Sequence, residues 1–181
     1  MNPTTAPDVD QQGLDQSETA GHTENSIVIA ADPDVVWGVT NDLQRWPELF
    51  SEYASVEILD HTENTFRFRL TMHPDENGNV WSWVSERTLD PVARQVRARR
   101  VEPGPFEFMD IEWTYAEVPG GTEMRWVQDF GMRPQAPVDT PTMTTRINAN
   151  SKVQMALIAA KVEALAGDTE EPSTAAEAVS A

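Results

Sequence analysis

The sequence predicts an α+β domain: a curved antiparallel sheet of about seven strands around a long C-terminal helix, with two short helices, enclosing an interior pocket. Apolar and polar residues alternate with period two through much of residues 65–132, broken by Asn77-Gly78, Pro103-Gly104-Pro105 and Gly120-Gly121. A Thr140-Pro141 start and a Gly167 stop frame about 26 helical residues, roughly 39 Å, enough to cross a whole sheet. A chain of 181 residues suits one domain with a substantial core and is short for two.

The elements follow in order. Asn25 to Ala30 reads as a short β-branched strand, and Asp32-Pro33 supplies an N-cap and a first-turn proline for a helix carrying Val35, Val36 and Val39. Trp46-Pro47 opens a second short helix through Leu49 and Phe50. In Thr65 to His73, Phe66, Phe68, Leu70 and Met72 share one face, and Asn77-Gly78 suits a hairpin turn needing positive φ. The return strand is Val80 to Leu89; Arg94 to Glu102, Phe106 to Glu117 and Thr122 to Met132 continue an antiparallel meander. On the long helix the expected inward stripe is Met143, Ile147, Asn150, Gln154, Ile158 and Leu165. Asn150 and Gln154 either border a cavity or, if the helix is slightly rotated, face water.

Composition excludes several function classes. There is no cysteine, so disulfides and thiolate chemistry are absent, and the spacing of His22, His61 and His73 matches no common zinc motif; no metal or other cofactor is expected. A net charge of −17 argues against nucleic-acid binding. No apolar run approaches a bilayer span and the N-terminus is not signal-like, so a soluble, cytoplasmic protein without a membrane partner is expected. Residues 1–21 and 168–181 are acidic, lack aromatic residues and read as disordered tails flanking a domain over residues 22–167.

Strand parity then gathers chemistry on one side. Two adjacent exposed tryptophans are costly, so the face of Trp81, Trp83, Ser85 and Arg87 is placed inside, which carries Arg87 inward with them. A buried guanidinium needs a partner or an anionic ligand. The same test turns Met109, Ile111, Trp113 and Tyr115 inward on one strand and Met124, Trp126, Gln128, Phe130 and Met132 on the next. Arg100 is a second candidate cation, with an internal pair to Glu102 as the alternative; Arg97 and Arg99 face the other way.

The runs Trp46-Pro47-Glu48-Leu49-Phe50-Ser51-Glu52-Tyr53, Val80-Trp81-Ser82-Trp83-Val84-Ser85, Gly104-Pro105-Phe106 and Gly121-Thr122-Glu123-Met124-Arg125-Trp126-Val127-Gln128, with Thr40-Asn41-Asp42 and Asn77-Gly78, closely resemble the monodomain aromatase/cyclases of bacterial type II polyketide synthases, nearest to the tetracenomycin and spore-pigment enzymes. The likeness covers about residues 22–165. It implies a helix-grip fold of the START/Bet v 1-like kind. It also implies a linear poly-β-ketone substrate held on an acyl carrier protein by phosphopantetheine, supplied by a minimal polyketide synthase, with first-ring closure between C9 and C14 and then dehydration. By position it implies Arg87 and Tyr53 as the main catalytic pair with Ser85. It carries over Arg100, Gln128, Trp46, Trp81, Trp83 and Trp113 in support, and Phe50, Phe68, Met109, Trp126, Asn150 and Gln154, taken from the reading of the residues themselves, join them as the expected substrate-binding set. Around Arg146 relatives carry a histidine, which puts the site of any second ring closure in question.

Those side chains suit the chemistry. A methylene between two carbonyls is already acidic, so aldol closure needs charge stabilisation at the enolate oxygen, which Arg87 offers. Tyr53, with its phenol acidified by a neighbouring guanidinium, would shuttle a proton to the aldol oxygen and assist loss of water. The competing reading is a non-catalytic carrier of the same fold that holds a hydrophobic ligand unchanged. Outward Arg97 and Arg99, with Arg67 and Arg69, make either a carrier-protein docking patch or an ordinary solvated strand face.

Overall fold

The computed structural model describes residues 20–170. Its sheet consists of β1 (Ala20–Ile29), β2 (Tyr53–His61), β3 (Thr65–Met72), β4 (Ser82–Asp90), β5 (Gln95–Arg100), β6 (Phe106–Val118) and β7 (Gly121–Met132), antiparallel throughout, in the order β1-β7-β6-β5-β4-β3-β2. Helices α1 (Pro33–Asn41) and α2 (Trp46–Leu49), joined by a 3-10 turn over Leu43–Arg45, lie between the two edge strands in sequence, and α3 (Thr140–Glu170) closes the chain. This is the expected curved sheet with a long C-terminal helix. The two expected tails lie outside the described residues up to residue 19 and from residue 171; Ala20 and Gly21 belong to β1, and α3 runs on past residue 167.

Local chemistry sets the boundaries. Asp32 caps α1, its carboxylate accepting from the Asp34 amide at 2.8 Å with Pro33 in the first turn; Asp42 ends α1 and caps the 3-10 turn through the Gln44 amide at 3.2 Å. The Trp46 indole donates to the Thr40 carbonyl at 3.0 Å, tying α2 to the end of α1. For α3 the cap is Asp139 rather than Thr140: its carboxylate accepts from the Thr142 amide at 2.9 Å, and Pro141 sits inside the first turn. In the β3–β4 turn only Gly78 has positive φ, and Asp75 holds the turn by accepting from the Asn77 and Asn79 amides, both at 2.9 Å.

Two departures from the sequence reading matter for the site. β1 is longer than Asn25 to Ala30 and alternates strictly, with Gly21, Thr23 and Asn25 buried. α3 is rotated relative to the expected stripe: Ser151, Gln154, Met155, Ile158, Ala159 and Val162 are buried, whereas Asn150 and Leu165 are exposed. A path through 151, 154, 155, 158, 159 and 162 is a better single face of a 3.6-residue helix than one reaching 165. Met155, Ile158 and Val162 join Ile29, Val36 and Met124 in the main core, each contributing about 1.5–3 kcal/mol by burial. The core thus fills the C-terminal half of α3 and leaves its middle polar.

Candidate functional site

Arg87 is the most deeply buried charged residue among the described residues, only 2 % exposed. β4 presents Trp83, Ser85 and Arg87 to one side, and the Arg87 guanidinium comes to rest over two indoles, its carbon 4.1 Å from the Trp113 ring centroid and 5.2 Å from that of Trp46. Its Nη2 donates to Asn41 Oδ1 at 2.6 Å and it also hydrogen-bonds the Tyr115 phenol oxygen, while Nε has no hydrogen-bond partner among the described residues. Asn41 in turn donates to the Trp37 carbonyl at 3.0 Å and to Tyr115 Oη at 3.4 Å, and Tyr115 Oη meets Thr40 Oγ1 at 2.8 Å. Because Thr40 Oγ1 gives its proton to the Val36 carbonyl at 2.7 Å, the phenol is the donor in the Tyr115–Thr40 pair. The cation is therefore oriented by neutral groups and faces no carboxylate among the described residues. Burial brings its pKa down to about 10, so it is charged at neutral pH.

Tyr53 lies on the same lining, stacked on Trp46 at 5.9 Å and edge-on to Trp83 at 6.3 Å. Its phenol is pushed well above the ordinary tyrosine range by burial and by the adjacent Glu52 charge, which outweigh the pull of Arg100 and Arg87. The expected acidification is thus reversed, and Tyr53 is a neutral donor. Its hydroxyl donates to Glu52, whose carboxylate also accepts from Asn150 Nδ2 at 3.0 Å and whose pKa is raised by desolvation. Arg100 completes this group, with its guanidinium carbon 4.0 Å from the Trp83 centroid and 4.7 Å from that of Phe106. Its suggested pair with Glu102 does not form: β5 ends at Arg100, and Glu102 instead holds both Arg69 nitrogens at 3.0 Å.

The other expected residues divide plainly. Trp46, Phe50, Phe68, Met109, Trp113 and Trp126 are all buried, and their rings touch in sequence: Trp46 to Phe50 at 5.0 Å, Trp46 to Trp113 at 5.8 Å, Trp113 to Trp126 at 4.4 Å. Ser85 is buried beside Arg100 in the β4–β5 register. Gln128 donates to Ser151 Oγ at 3.4 Å, and Gln154 holds the Ser51 amide and hydroxyl, so the buried amide of α3 anchors the α2–β2 connection. Trp81 does not belong to the lining. β4 starts at Ser82, so parity does not govern Trp81, and its side chain is 53 % exposed. Asn150 is exposed and acts through Glu52, and Arg146 is exposed as well. Sequence reasoning missed Glu52, although it precedes Tyr53 directly, and missed Asn41, Thr23, Asn25 and Ser151, whose polarity gave no hint of burial.

On the outer face the arginines considered for docking are already engaged. Glu86 takes Arg99 at 3.0 Å and Arg67 at 3.3 Å, Glu112 takes Arg97 at 3.4 Å, and Arg69 is held by Glu102. That face is a solvated ladder of ion pairs. No helix among the described residues is long and apolar enough to cross a membrane.

Residues 29–159 match the family described as polyketide cyclase / dehydrase and lipid transport. A protein of Streptomyces cyaneus described as a candidate polyketide cyclase is 66% identical over 144 residues, covering 80% of this chain and 95% of the relative. The granaticin polyketide synthase bifunctional cyclase/dehydratase of Streptomyces violaceoruber is 28% identical over 149 residues, 81% of this chain but 45% of that protein. Among solved structures, the Zhui aromatase/cyclase from Streptomyces sp. R1128 superposes with a TM-score of 0.70 at 25% identity, covering 80% of this chain and 94% of that one. With the fold, the buried cation and a family match over most of its length in agreement, the chain belongs to the polyketide cyclase / dehydrase and lipid transport family.

Proposed function

We propose that this protein is an aromatase/cyclase that takes a carrier-protein-tethered linear poly-β-ketone and directs first-ring aldol closure between C9 and C14, followed by dehydration to an aromatic ring. The observation that carries the reading is Arg87: a fully buried cation held by indole faces, an amide and a phenol, with no carboxylate among the described residues to neutralise it. Such an arrangement is costly in the resting protein and becomes favourable when negative charge develops on a bound oxygen.

In this scheme a methylene between two ketones gives its proton to a water molecule, and Arg87 stabilises the enolate oxygen that results. The enolate carbon attacks a second ketone, forming the carbon–carbon bond, and the new alkoxide takes a proton from the neutral Tyr53 phenol. Glu52, hydrogen-bonded to Tyr53 with its carboxylate shifted towards neutrality, exchanges protons with that phenol. Loss of the hydroxyl as water with a neighbouring proton gives the aromatic ring. Aromatic walls from Trp46, Phe50 and Trp83 hold the reacting carbons together, removing much of the entropic barrier.

The test is product analysis of a minimal synthase making the linear chain, with the wild-type protein or with Arg87→Ala. Wild type should channel product into the C9–C14 ring and the variant should release the mixture formed without any cyclase. Equal product ratios with both proteins would leave a carrier role in its place.

A further inference from the structure

Five buried hydrogen-bonding side-chain atoms without partners among the described residues lie along β1, β7 and β6, meeting the Arg87 group only at the Trp113 ring on which its guanidinium rests. They are Thr23 Oγ1, Asn25 Nδ2, Gln128 Oε1 and the indole nitrogens of Trp113 and Trp126. The strand register draws them together: Thr23 pairs with Gln128, Asn25 with Trp126 and Trp126 with Trp113, whose rings stack at 4.4 Å and 8°. Directly paired residues share a face of the sheet, and four of the five are at least nine-tenths buried. Gln128 is oriented by donating its amide to Ser151 on α3, which leaves Oε1 as a free acceptor. A lining with only a packing role would be apolar here, because valine and leucine fit such positions without leaving polar atoms unpaired.

We propose that Thr23, Asn25 and Gln128, with the Trp113 and Trp126 indole N–H groups, form an oxygen-binding subsite that grips one enolised 1,3-dicarbonyl unit of the substrate away from the reacting carbons. The proposal rests on the polyketide reading above and extends it to a part of the chain that does not react. An enolised 1,3-dicarbonyl presents one O–H donor and one carbonyl acceptor on alternate carbons. The subsite offers the complement: Gln128 Oε1 to receive the enol proton, and the Asn25 amide, Thr23 hydroxyl and indole N–H groups to donate to oxygen. A saturated acyl chain, or a ketone standing alone, leaves most of these groups unmatched. A site built to hydrogen-bond rejects ligands lacking the partner far more strongly than an apolar pocket rejects a methylene. Holding one dicarbonyl unit at β1 fixes where the chain bends, and so which carbons arrive beside Arg87.

The experiment uses the full chain and the near-isosteric double variant Thr23→Val with Asn25→Leu. Calorimetry measures binding of 1-phenylbutane-1,3-dione and of its mono-ketone counterpart, 1-phenylbutan-1-one, alongside the thermal midpoint. Wild type should prefer the diketone at least tenfold. The variant should lose that preference while mono-ketone affinity stays within about threefold and the midpoint is unchanged or higher, since removing unpaired buried polar groups does not cost stability. Three results would overturn the proposal: no diketone preference in wild type, an undiminished preference in the variant, or a lower midpoint with both ligands weakened alike. The catalytic role of Arg87 is read separately, from product ratios with the minimal synthase. The subsite and the catalytic role of Arg87 therefore fail by different measurements.

Discussion

The guanidinium of Arg87 sits 4.1 Å from the centre of the Trp113 indole, a cation resting on an aromatic face inside the sheet. This contact depends on a planar, delocalised charge that also forks to Asn41 at 2.6 Å and to Tyr115. Arg87→Lys keeps the charge but has no plane to stack and no fork. It should therefore lower the yield of directed product roughly a hundredfold, close to the loss from Arg87→Ala, with one good oxyanion donor worth about 10²–10³ in rate. Single-turnover product formation from carrier-bound chains checks this, and a lysine variant retaining more than half of wild-type yield would contradict it.

Glu52 sets a pH dependence. Its pKa is raised above 4.5 by burial, so the folded state binds its proton more readily than the unfolded state does. The associated stability is fully present below the ordinary glutamate range and is lost as pH rises through the raised value. Glu52→Gln, which keeps an oxygen for Asn150 and Tyr53, should melt higher than wild type at pH 7, with the difference shrinking as pH falls towards 4.5. Thermal midpoints across that range measure it. The same variant should slow ring closure, because Tyr53 then lacks the group that restores the proton it gives the alkoxide, seen as a lower single-turnover rate of first-ring product.

Gly121 begins β7 with φ 144, and a Cβ there would overlap the carbonyl oxygen of Ile29 at the end of β1. Backbone cannot yield as a flexible side chain does. Gly121→Ala should destabilise the protein by roughly 2–4 kcal/mol through combined strain and overpacking, against a small effect for Gly38→Ala on α1, where an added Cβ meets nothing within 4 Å. Urea denaturation midpoints of the two variants provide the comparison.

Trp81 and Trp83 are two residues apart but in different surroundings. Trp81 is half exposed before β4 begins, whereas Trp83 supports Arg100 at 4.0 Å and meets the edge of Tyr53. Trp81→Ala should change stability by no more than about 0.5 kcal/mol and leave product ratios intact. Trp83→Ala should cost about 3 kcal/mol or more and broaden the product mixture.

Legibility followed physical range. Alternation inside regular strands was readable because a buried face imposes period two, and it placed Met109, Trp113, Trp126 and Arg87 on the concave side. It failed at Trp81, where the strand had not begun. β2 gave no alternation to read because, as an edge strand, it is mostly exposed: its pattern from Tyr53 to His61 has no fully buried residue. The stripe on α3 was drawn from apolar spacing and slipped at Asn150 and Leu165, since a polar stretch in mid-helix removes the signal that sets its rotation.

The sequence by itself determined the architecture, the inward arginine and the absence of cysteine, because periodicity, turn residues and inventory are local properties of the chain. Only the tertiary structure decided the electrostatics. It set Glu52 beside Tyr53 so that the phenol is held neutral, paired Glu102 with Arg69 and thereby freed Arg100 for the interior, and lined β1 with unpaired polar atoms. Charge and hydrogen bonding depend on which groups lie within a few ångströms and how far water is excluded, and residues as distant in sequence as Glu52 and Asn150 acquire that relation only when the sheet closes on the helix.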